Sequence, residues 1–436
     1  MSEAGLPMRI VFIVHYFPPV NSSGAKRVEA VSKCMAAAGH LVTVITTRKT
    51  SSDGAFTEKL PVGVDVIELN RLGRERPSIR TGDQFEPMYT GKPSWKRRIK
   101  DLVMKWFGQL PDPRLPFALS IGMPWLAKRA HAALEKADVV VGSSPPWPLL
   151  LAATIAKRRF GIPCILDYRD HFSECHEMPG GRFAKWLERH VDRWLLRKAD
   201  HVVAISGPMA AYYRTMSPTV QTIMNGYDHE VLEAARQQAR PSEGRTIVIR
   251  YMGIVSPGRV PHNLLQALVR FAAEDPQRFS QLRIEFYGNA ALVNECLQNK
   301  YAPVRSAFHF FEAVPYVKSL QLMVEANYLL FSETSSNATL SAQGILTTKL
   351  FEYIGSGRPI LADIAPETLA GSLLLEIGTE HVVANNPEAF LVSLRSESFY
   401  QRRPDEVSPN VWKHSRQAQA QEYTRLAEQV TRKQSA

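Results

Sequence analysis

The stretch that decides the fold is RIVFIVHYFPPVNSSGAKRVEAVSKCMAAAGHLVTVITT, Arg9 to Thr47. Arg9–His15 is a continuous apolar run of strand length, followed by a turn-rich loop, YFPPVNSSGAKR. Val28–Ala38 has helical spacing, Gly39 ends it, and LVTVITT reads as a second buried strand. Strand, loop, helix and strand in this order make a βαβ unit, for which a right-handed crossover is expected.

The pattern recurs outward from there. ADVVVGSSPP is followed by a helix to Phe160, then by PCILDYRD, a helix over Arg182–Lys198 and the strand HVVAIS. This predicts a doubly wound α/β domain over residues 1–235. The chain turns polar from Asp228 to Arg245, the natural place for a boundary. A second strand set then runs through TIVIRYMGIV, LRIEFYG, AFHFF, NYLLFS, PILAD and EHVVA, alternating with helical segments such as His262–Ala273 and Lys318–Ala326. That predicts a second Rossmann-like domain over 236–408. A terminal helix within 409–436 is expected to pack back on the first domain. Tandem α/β domains commonly hold a ligand at the carboxyl ends of their strands.

Composition narrows the function classes. With 45% apolar and 22% charged residues the chain belongs among folded globular proteins. A net charge of +11 points to an anionic partner: nucleotide, nucleic acid or membrane surface. No nucleic-acid-binding module is visible, so nucleic acid is not expected. No apolar run approaches the roughly 20 residues of a membrane span. RIVFIVHYF is too short for a signal-peptide core and lacks a cleavage-like site, which predicts a cytoplasmic protein. Cys34, Cys164, Cys175 and Cys296 are scattered without a Cys-x-x-Cys pair, as expected of reduced thiols.

The stretch with the most chemistry is GILTTKLFEYIGSGRPILAD, Gly344 to Asp363. Thr348 reads as an N-cap, which puts Lys349 and Glu352 on one face at the start of a helix. Free N–H groups and a lysine at a helix start suit a diphosphate, and an ionised glutamate can accept two hydrogen bonds from vicinal ribose hydroxyls. The same spacing also fits a surface ion pair worth a few tenths of a kcal/mol. Spacing alone does not decide between them.

Context does. MRIVFIVHYFPPVNSSGAKRV…MAAAGHLVTVIT, DYRD, ADHVVAISGPM, IMNGYDHEVL, YMGIVSPGR and TTKLFEYIGSGRPILA, spread over nearly the whole chain, resemble the large family 4 of retaining glycosyltransferases, which have the two-domain GT-B fold. The resemblance implies that Lys349 and Glu352 hold the diphosphate and ribose of a nucleotide sugar. It also implies a second phosphate-contacting cation six residues after Gly253, usually lysine and here Arg259, which can grip phosphate oxygens bidentately. The donor-binding set so implied is Gly24, Gly253, Arg259, Thr347, Thr348, Lys349 and Glu352. Two departures stand out. Many members carry a second glutamate eight residues before the helix one, touching the donor sugar, where this chain has Gly344; and Ile254 replaces a frequent arginine.

The loop NSSGAKR lacks the GxGxxG fingerprint, which argues against a dinucleotide oxidoreductase. Gly24 allows close approach of a ligand, or is a simple turn glycine, and Arg27 one turn on is expected to face the same cleft. In DYRD, Asp170 is a candidate for orienting an acceptor hydroxyl and Arg169 for steadying an anionic group; a buried Arg–Asp pair locking the loop is the alternative. HFSECHE offers His171, Cys175, His176 and Glu177 without zinc-like spacing, so no metal and no cofactor beyond the donor are expected. By resemblance the leaving diphosphate helps deprotonate the acceptor, which makes Lys349, Arg259 and the helix N-terminus the catalytic electrostatics, with Asp170 on the acceptor side.

One further stretch, WKRRIKDLVMKWFGQL, places Trp95, Ile99, Leu102, Val103, Trp106, Phe107 and Leu110 on one helical face, with Arg97 and Arg98 among the basic residues behind it. It fits an anionic membrane surface, or a helix packed on the first domain. The expectation is a metal-independent retaining hexosyltransferase using a nucleotide-diphosphate sugar and a glycan or lipid-linked acceptor, at the inner face of the cell membrane, in envelope or exopolysaccharide biosynthesis. A nucleotide-sugar epimerase of the same fold and a non-catalytic sugar-nucleotide-binding subunit are the alternatives.

Overall fold

The computed structural model describes residues 7–435 apart from 51–52, 54–55, 71, 76–102, 105, 176–179, 241–245, 334–342, 345, 379 and 402–408. It divides into two compact units, Met1–Met224 with Arg416–Ala436, and Asn225–Ser415. The first unit thus ends at Met224 rather than at 235, because the helix His229–Gln238 packs against Tyr316–Glu325 of the second.

The first unit is built on a parallel sheet of seven strands in the order β3-β2-β1-β4-β5-β6-β7. These are β1 (Arg9–Val14), β2 (Leu41–Thr47), β3 (Val64–Leu69), β4 (Val139–Ser144), β5 (Cys164–Tyr168), β6 (His201–Ala204) and β7 (Val220–Thr222). β1 pairs with β2 through Ile10 and Val42 and with β4 through Ile10 and Val139. Its side chains alternate between two cores. Ile10, Phe12 and Val14 pack under the helix Ser23–Ala37, with Val28, Val31 and Met35, while Val11 and Ile13 join Leu149, Leu150 and Leu166 on the other face. Burial on both faces is why these strands are unbroken apolar runs. The terminal helix Arg416–Ser435 lies in this unit, where Tyr423, Leu426 and Ala427 join the core beside Val28 and Val31.

The second unit carries six parallel strands in the order β10-β9-β8-β11-β12-β13. They are β8 (Ile247–Met252), β9 (Leu282–Tyr287), β10 (Phe308–Phe311), β11 (Tyr328–Ser332), β12 (Ile360–Asp363) and β13 (Val382–Ala384). Strand order reverses between β8 and β11, which pair through Tyr328 and Ile249. The carboxyl ends flanking such a reversal are where open α/β sheets bind ligands.

Candidate functional site

Apart from Gly24, which lies in the first unit, the residues expected to bind the donor lie in the second unit, around the ends of β8 and β11. β8 runs into Gly253, whose φ of +109° favours glycine and whose N–H donates to the Tyr287 carbonyl at 2.8 Å. The neighbouring turn is pressed against it: a Cβ on Gly288, itself at φ +115°, would stand 2.7 Å from the Gly253 oxygen. Beyond Gly253 the chain makes a single 3-10 turn, Pro257–Arg259, and Arg259 points back toward the strand ends. Its Nε donates to Glu333 Oε1 at 2.5 Å. Among the described residues this is the one hydrogen bond of the Arg259 side chain, so both terminal NH2 groups are left for a ligand.

Glu333, the residue after β11, is 7% exposed and was not singled out from sequence. It is a buried carboxylate at the switch point, in electrostatic contact with both site cations. The signal that could have found it is its position, an acid directly after the apolar strand NYLLFS and before the polar sequence TSSNATLSAQ.

The helix with Lys349 runs from Thr348 to Ser356, so its N-cap is Thr347 and not Thr348, which is already helical. Thr347 has the extended backbone of a cap, but its side chain makes no capping bond; its Oγ1 is buried without a hydrogen-bond partner among the described residues. The first N–H groups of any helix lack intrahelical acceptors, and here no side chain substitutes. Tyr353 fixes the helix against the sheet, its Oη accepting from the Met252 N–H at 2.8 Å. Gly357, left-handed at φ 72°, ends it. Asp363, at the end of β12, takes the N–H groups of Asn263 (2.9 Å) and Leu264 (3.2 Å) and thereby caps the helix His262–Glu274.

Lys349 is half-buried and turned inward. Its ammonium lies 4.0 Å from the centroid of the Tyr251 ring and 5.5 Å from that of Phe331, both on the central strands. No hydrogen bond or ion pair holds it among the described residues. Burial pushes its pKa down to about 7, and the Arg259 charge pushes the same way, against the pull of Glu333 and Glu352. Glu352 stands one turn further along and is half-buried. The aromatic faces hold the cation without neutralising it. An ammonium without an ion pair among the described residues, a guanidinium held only through Nε and an uncapped helix start offer the chemistry that a compact dianion requires. Gly344 is buried and offers backbone groups alone.

In the first unit the acceptor-side candidates separate. Arg27 does not face an open loop: it is buried, its guanidinium donating to Asp167 Oδ1 (3.2 Å) and the carbonyls of Ile223 (2.7 Å) and Met224, with the Tyr423 ring 5.6 Å away. It shares a stripe with Val31 and Met35, four and eight residues on, which is the inner face of its helix. Arg169 is also buried, donating to the carbonyls of Ser144 (3.0 Å), Pro145 (3.0 Å) and Gly24. It stitches together the segments after β1, β4 and β5. Gly24 lies inside the first turn of its helix, where a Cβ would meet Arg169 at 3.0 Å and the Tyr16 ring at 3.2 Å. The space beside it is therefore filled by protein. Asp170 is exposed at the end of β5.

A buried cluster beside them was also missed. His15, after β1, contacts Thr47 through Nδ1, while its Nε2 lies 3.0 Å from Asp53 and 2.9 Å from Arg114. Burial pushes this imidazole down to about 4, so it is neutral near pH 7. His171 is buried against Tyr212 and Tyr213; His176 and Glu177 lie outside the described residues. Of the amphipathic stretch, Trp95, Arg97 and Arg98 lie outside the described residues, whereas Trp106 and Phe107 are 65% and 55% exposed. Among the described residues no helix is long and apolar enough to cross a membrane.

Comparison with known proteins agrees with this architecture. Residues 24–226 match the model of the glycosyl transferase 4-like domain. No curated protein sequence matches the chain. Among solved structures, the sucrose-phosphate synthase of Thermosynechococcus elongatus superposes with a TM-score of 0.61 at 16% identity, covering 97% of this chain and 98% of that one. A glycosyltransferase from Rickettsia africae gives 0.60 at 12% identity, covering 98% and 99%. Anabaena HepE, solved in complex with UDP, gives 0.58 at 15%, covering 97% and 100%. The chain therefore has the GT-B fold, and its residues 24–226 are similar to the glycosyl transferase 4-like domain.

Proposed function

We propose that this protein is a retaining glycosyltransferase that moves a hexosyl group from a nucleotide-diphosphate sugar to a glycan or lipid-linked acceptor. The observation that carries the donor half is Lys349, a half-buried cation that makes no ion pair among the described residues, beside the uncapped start of its own helix and near Arg259. HepE, which shares the fold, has been solved with UDP and with UDP-glucose, and this supports a nucleotide-sugar ligand at the same kind of site.

Charge accumulates on the diphosphate as the bond from the sugar's anomeric carbon to its phosphate oxygen breaks. Lys349, the terminal nitrogens of Arg259 and the N–H groups following Thr347 stabilise that charge, which is transition-state electrostatics. Gly253 lets the backbone approach, Thr348 lies in the same first turn, and Glu352 accepts from the ribose hydroxyls. The departing oxygen takes the acceptor's proton on the face it leaves, so the configuration is retained. Asp170 orients the acceptor hydroxyl. Lys349 and Arg259 supply the positive charge a metal would otherwise bring, so transfer is expected to survive chelators. The setting is the inner face of the cell membrane, in the synthesis of envelope or exported polysaccharide, with Trp106 and Phe107 at the membrane end of the segment that begins at Trp95.

The test is calorimetric titration of the full chain with a panel of nucleotide sugars, repeated on Lys349→Ala and Glu352→Ala. Selective binding of one donor, weakened in both variants, is the expected result; equal affinity in all three proteins would sink the reading. Donor turnover without any acceptor would indicate an epimerase, and binding without transfer a non-catalytic subunit.

A further inference from the structure

The helix Arg182–Lys198, RFAKWLERHVDRWLLRK, connects two core strands and needs no more than its inner face to do so. That inner face is complete. Ala184, Leu195 and Leu196 pack into the core. Both acids of the helix are turned inward and used there: Glu188 takes Lys185 at 2.8 Å and the Gln109 N–H at 2.6 Å, and Asp192 takes the hydroxyls of Tyr168 and Ser173 at 2.8 Å each.

The outward face has no structural reason for its composition. Phe183, Trp186 and Trp194 are 66%, 50% and 39% exposed, and Phe183 stacks on Trp186 with centroids 5.8 Å apart. Steps of three, four and four residues from Phe183 through Trp186 and His190 to Trp194 keep them on one stripe. Arg182, Arg193, Arg197 and Lys198 are exposed around that stripe, Arg189 is paired with Glu174 at 2.6 Å, and neither acid of the helix lies on it. Single exposed aromatics are ordinary; three along one helix face, flanked by exposed cations, are not.

We infer that the outer face of Arg182–Lys198 is a docking surface for an anionic lipid bilayer. Tryptophan and phenylalanine in a collar of arginine suit the headgroup level of a membrane, where an aromatic ring is apolar at one side and wet at the other. A second copy of this chain is a poor occupant, because two such faces would oppose arginine to arginine. The inference rests on the peripheral-membrane setting proposed above and extends it to a helix that the sequence reading places only as an element of the first domain.

The test is co-sedimentation of the full-length protein with vesicles of phosphatidylcholine containing one quarter phosphatidylglycerol. Parallel runs use pure phosphatidylcholine vesicles and a single-stranded oligothymidine. The expected result is binding to the anionic vesicles that weakens by about fivefold for each basic residue lost, in Arg193→Gln and Arg197→Gln, and is lost in Phe183→Ser with Trp186→Ser. Melting temperature and UDP-glucose affinity should stay at wild-type values, which separates failure of docking from failure of the donor site. Wild-type sedimentation of these variants, or no binding by the wild type, would overturn the inference. So would tighter binding to the oligonucleotide. Release by Arg97→Glu with Arg98→Glu alone would overturn it too, leaving the setting intact but assigning the docking to the other segment.

Discussion

Lys349 offers the sharpest quantitative test, because its protonation is poised. The free protein holds this ammonium near a pKa of about 7, while a diphosphate requires it charged. Binding must therefore protonate the fraction of lysine that is neutral, and that cost grows with pH. Between about pH 6 and about pH 8 it rises from almost nothing to about 1.4 kcal/mol, so affinity should fall by about tenfold. UDP-glucose is the probe of choice, since its diphosphate is a diester without an ionisation of its own near neutrality. Isothermal titration in buffers of different ionisation enthalpy should show uptake of about half a proton per molecule bound near neutral pH. Lys349→Arg, charged throughout, should bind with a flat pH profile, and Lys349→Ala should be flat and weaker by about 1.5–3 kcal/mol. Glu333→Gln removes the largest influence holding the Lys349 pKa up, so its affinity should begin to fall at lower pH than in the wild type. Binding of UDP-glucose that is strong and independent of pH in the wild type would refute the reasoning, as would a slope that persists in Lys349→Arg.

Three other outcomes follow from burial. Arg27→Ala leaves the Asp167 carboxylate buried without its cation and should cost about 3–5 kcal/mol in urea denaturation, with no change in the pH profile of donor binding. Gly288→Ala combines an unfavourable φ with a 2.7 Å clash on the Gly253 carbonyl, so it should destabilise by at least about 2 kcal/mol and weaken nucleotide binding in the protein that still folds. His15, His171 and His414 are buried and each pushed down to about 4, so the unfolded chain takes up protons first as pH falls below about 6.5. Stability should therefore decline from about pH 6.5 to about pH 4, by up to about 3 kcal/mol for each histidine, and a urea midpoint that stays constant over that range would contradict this.

What the sequence made legible, it made legible for a physical reason. Strands buried on both faces must be apolar throughout, which is why β1, β2, β4, β8 and β11 can be read directly. β3 (VDVIEL) and β7 (VQT) lie at the sheet edges, half-buried or short, and carry no such run. The helix at Ser23 begins five residues before its apolar pattern because its first turn, SGAK, is small and polar and is started by Ser22, whose hydroxyl accepts from the Ala25 N–H. Lys349 was legible because helix-start chemistry is local. Glu333 was not, because parallel topology brings it beside Arg259 across 74 positions of sequence. Arg27 was misplaced for the converse reason. Its neighbour Gly24 suggested a ligand loop, but the i, i+4 stripe with Val31 and Met35 already pointed inward.

Gly344 and Glu333 bear on the same question, how a site lacking one expected carboxylate stays selective. A buried acid beside a phosphate site costs ligand affinity if it only repels. Glu333 avoids that role by its geometry: it grips Arg259 through Nε and leaves the paired NH2 groups aligned, as bidentate recognition of phosphate requires. It also sustains the charge on Lys349, which burial and Arg259 together would otherwise suppress. One carboxylate thus orients one cation and raises the charged fraction of the other. Under the proposed function, the glutamate missing at 344 is a group that would touch the donor sugar directly, so Glu333 would act at the phosphates and the sugar would be left to backbone and neighbouring groups. This division predicts tight binding of the bare nucleoside diphosphate, with the sugar adding less affinity than it would where a carboxylate receives its hydroxyls.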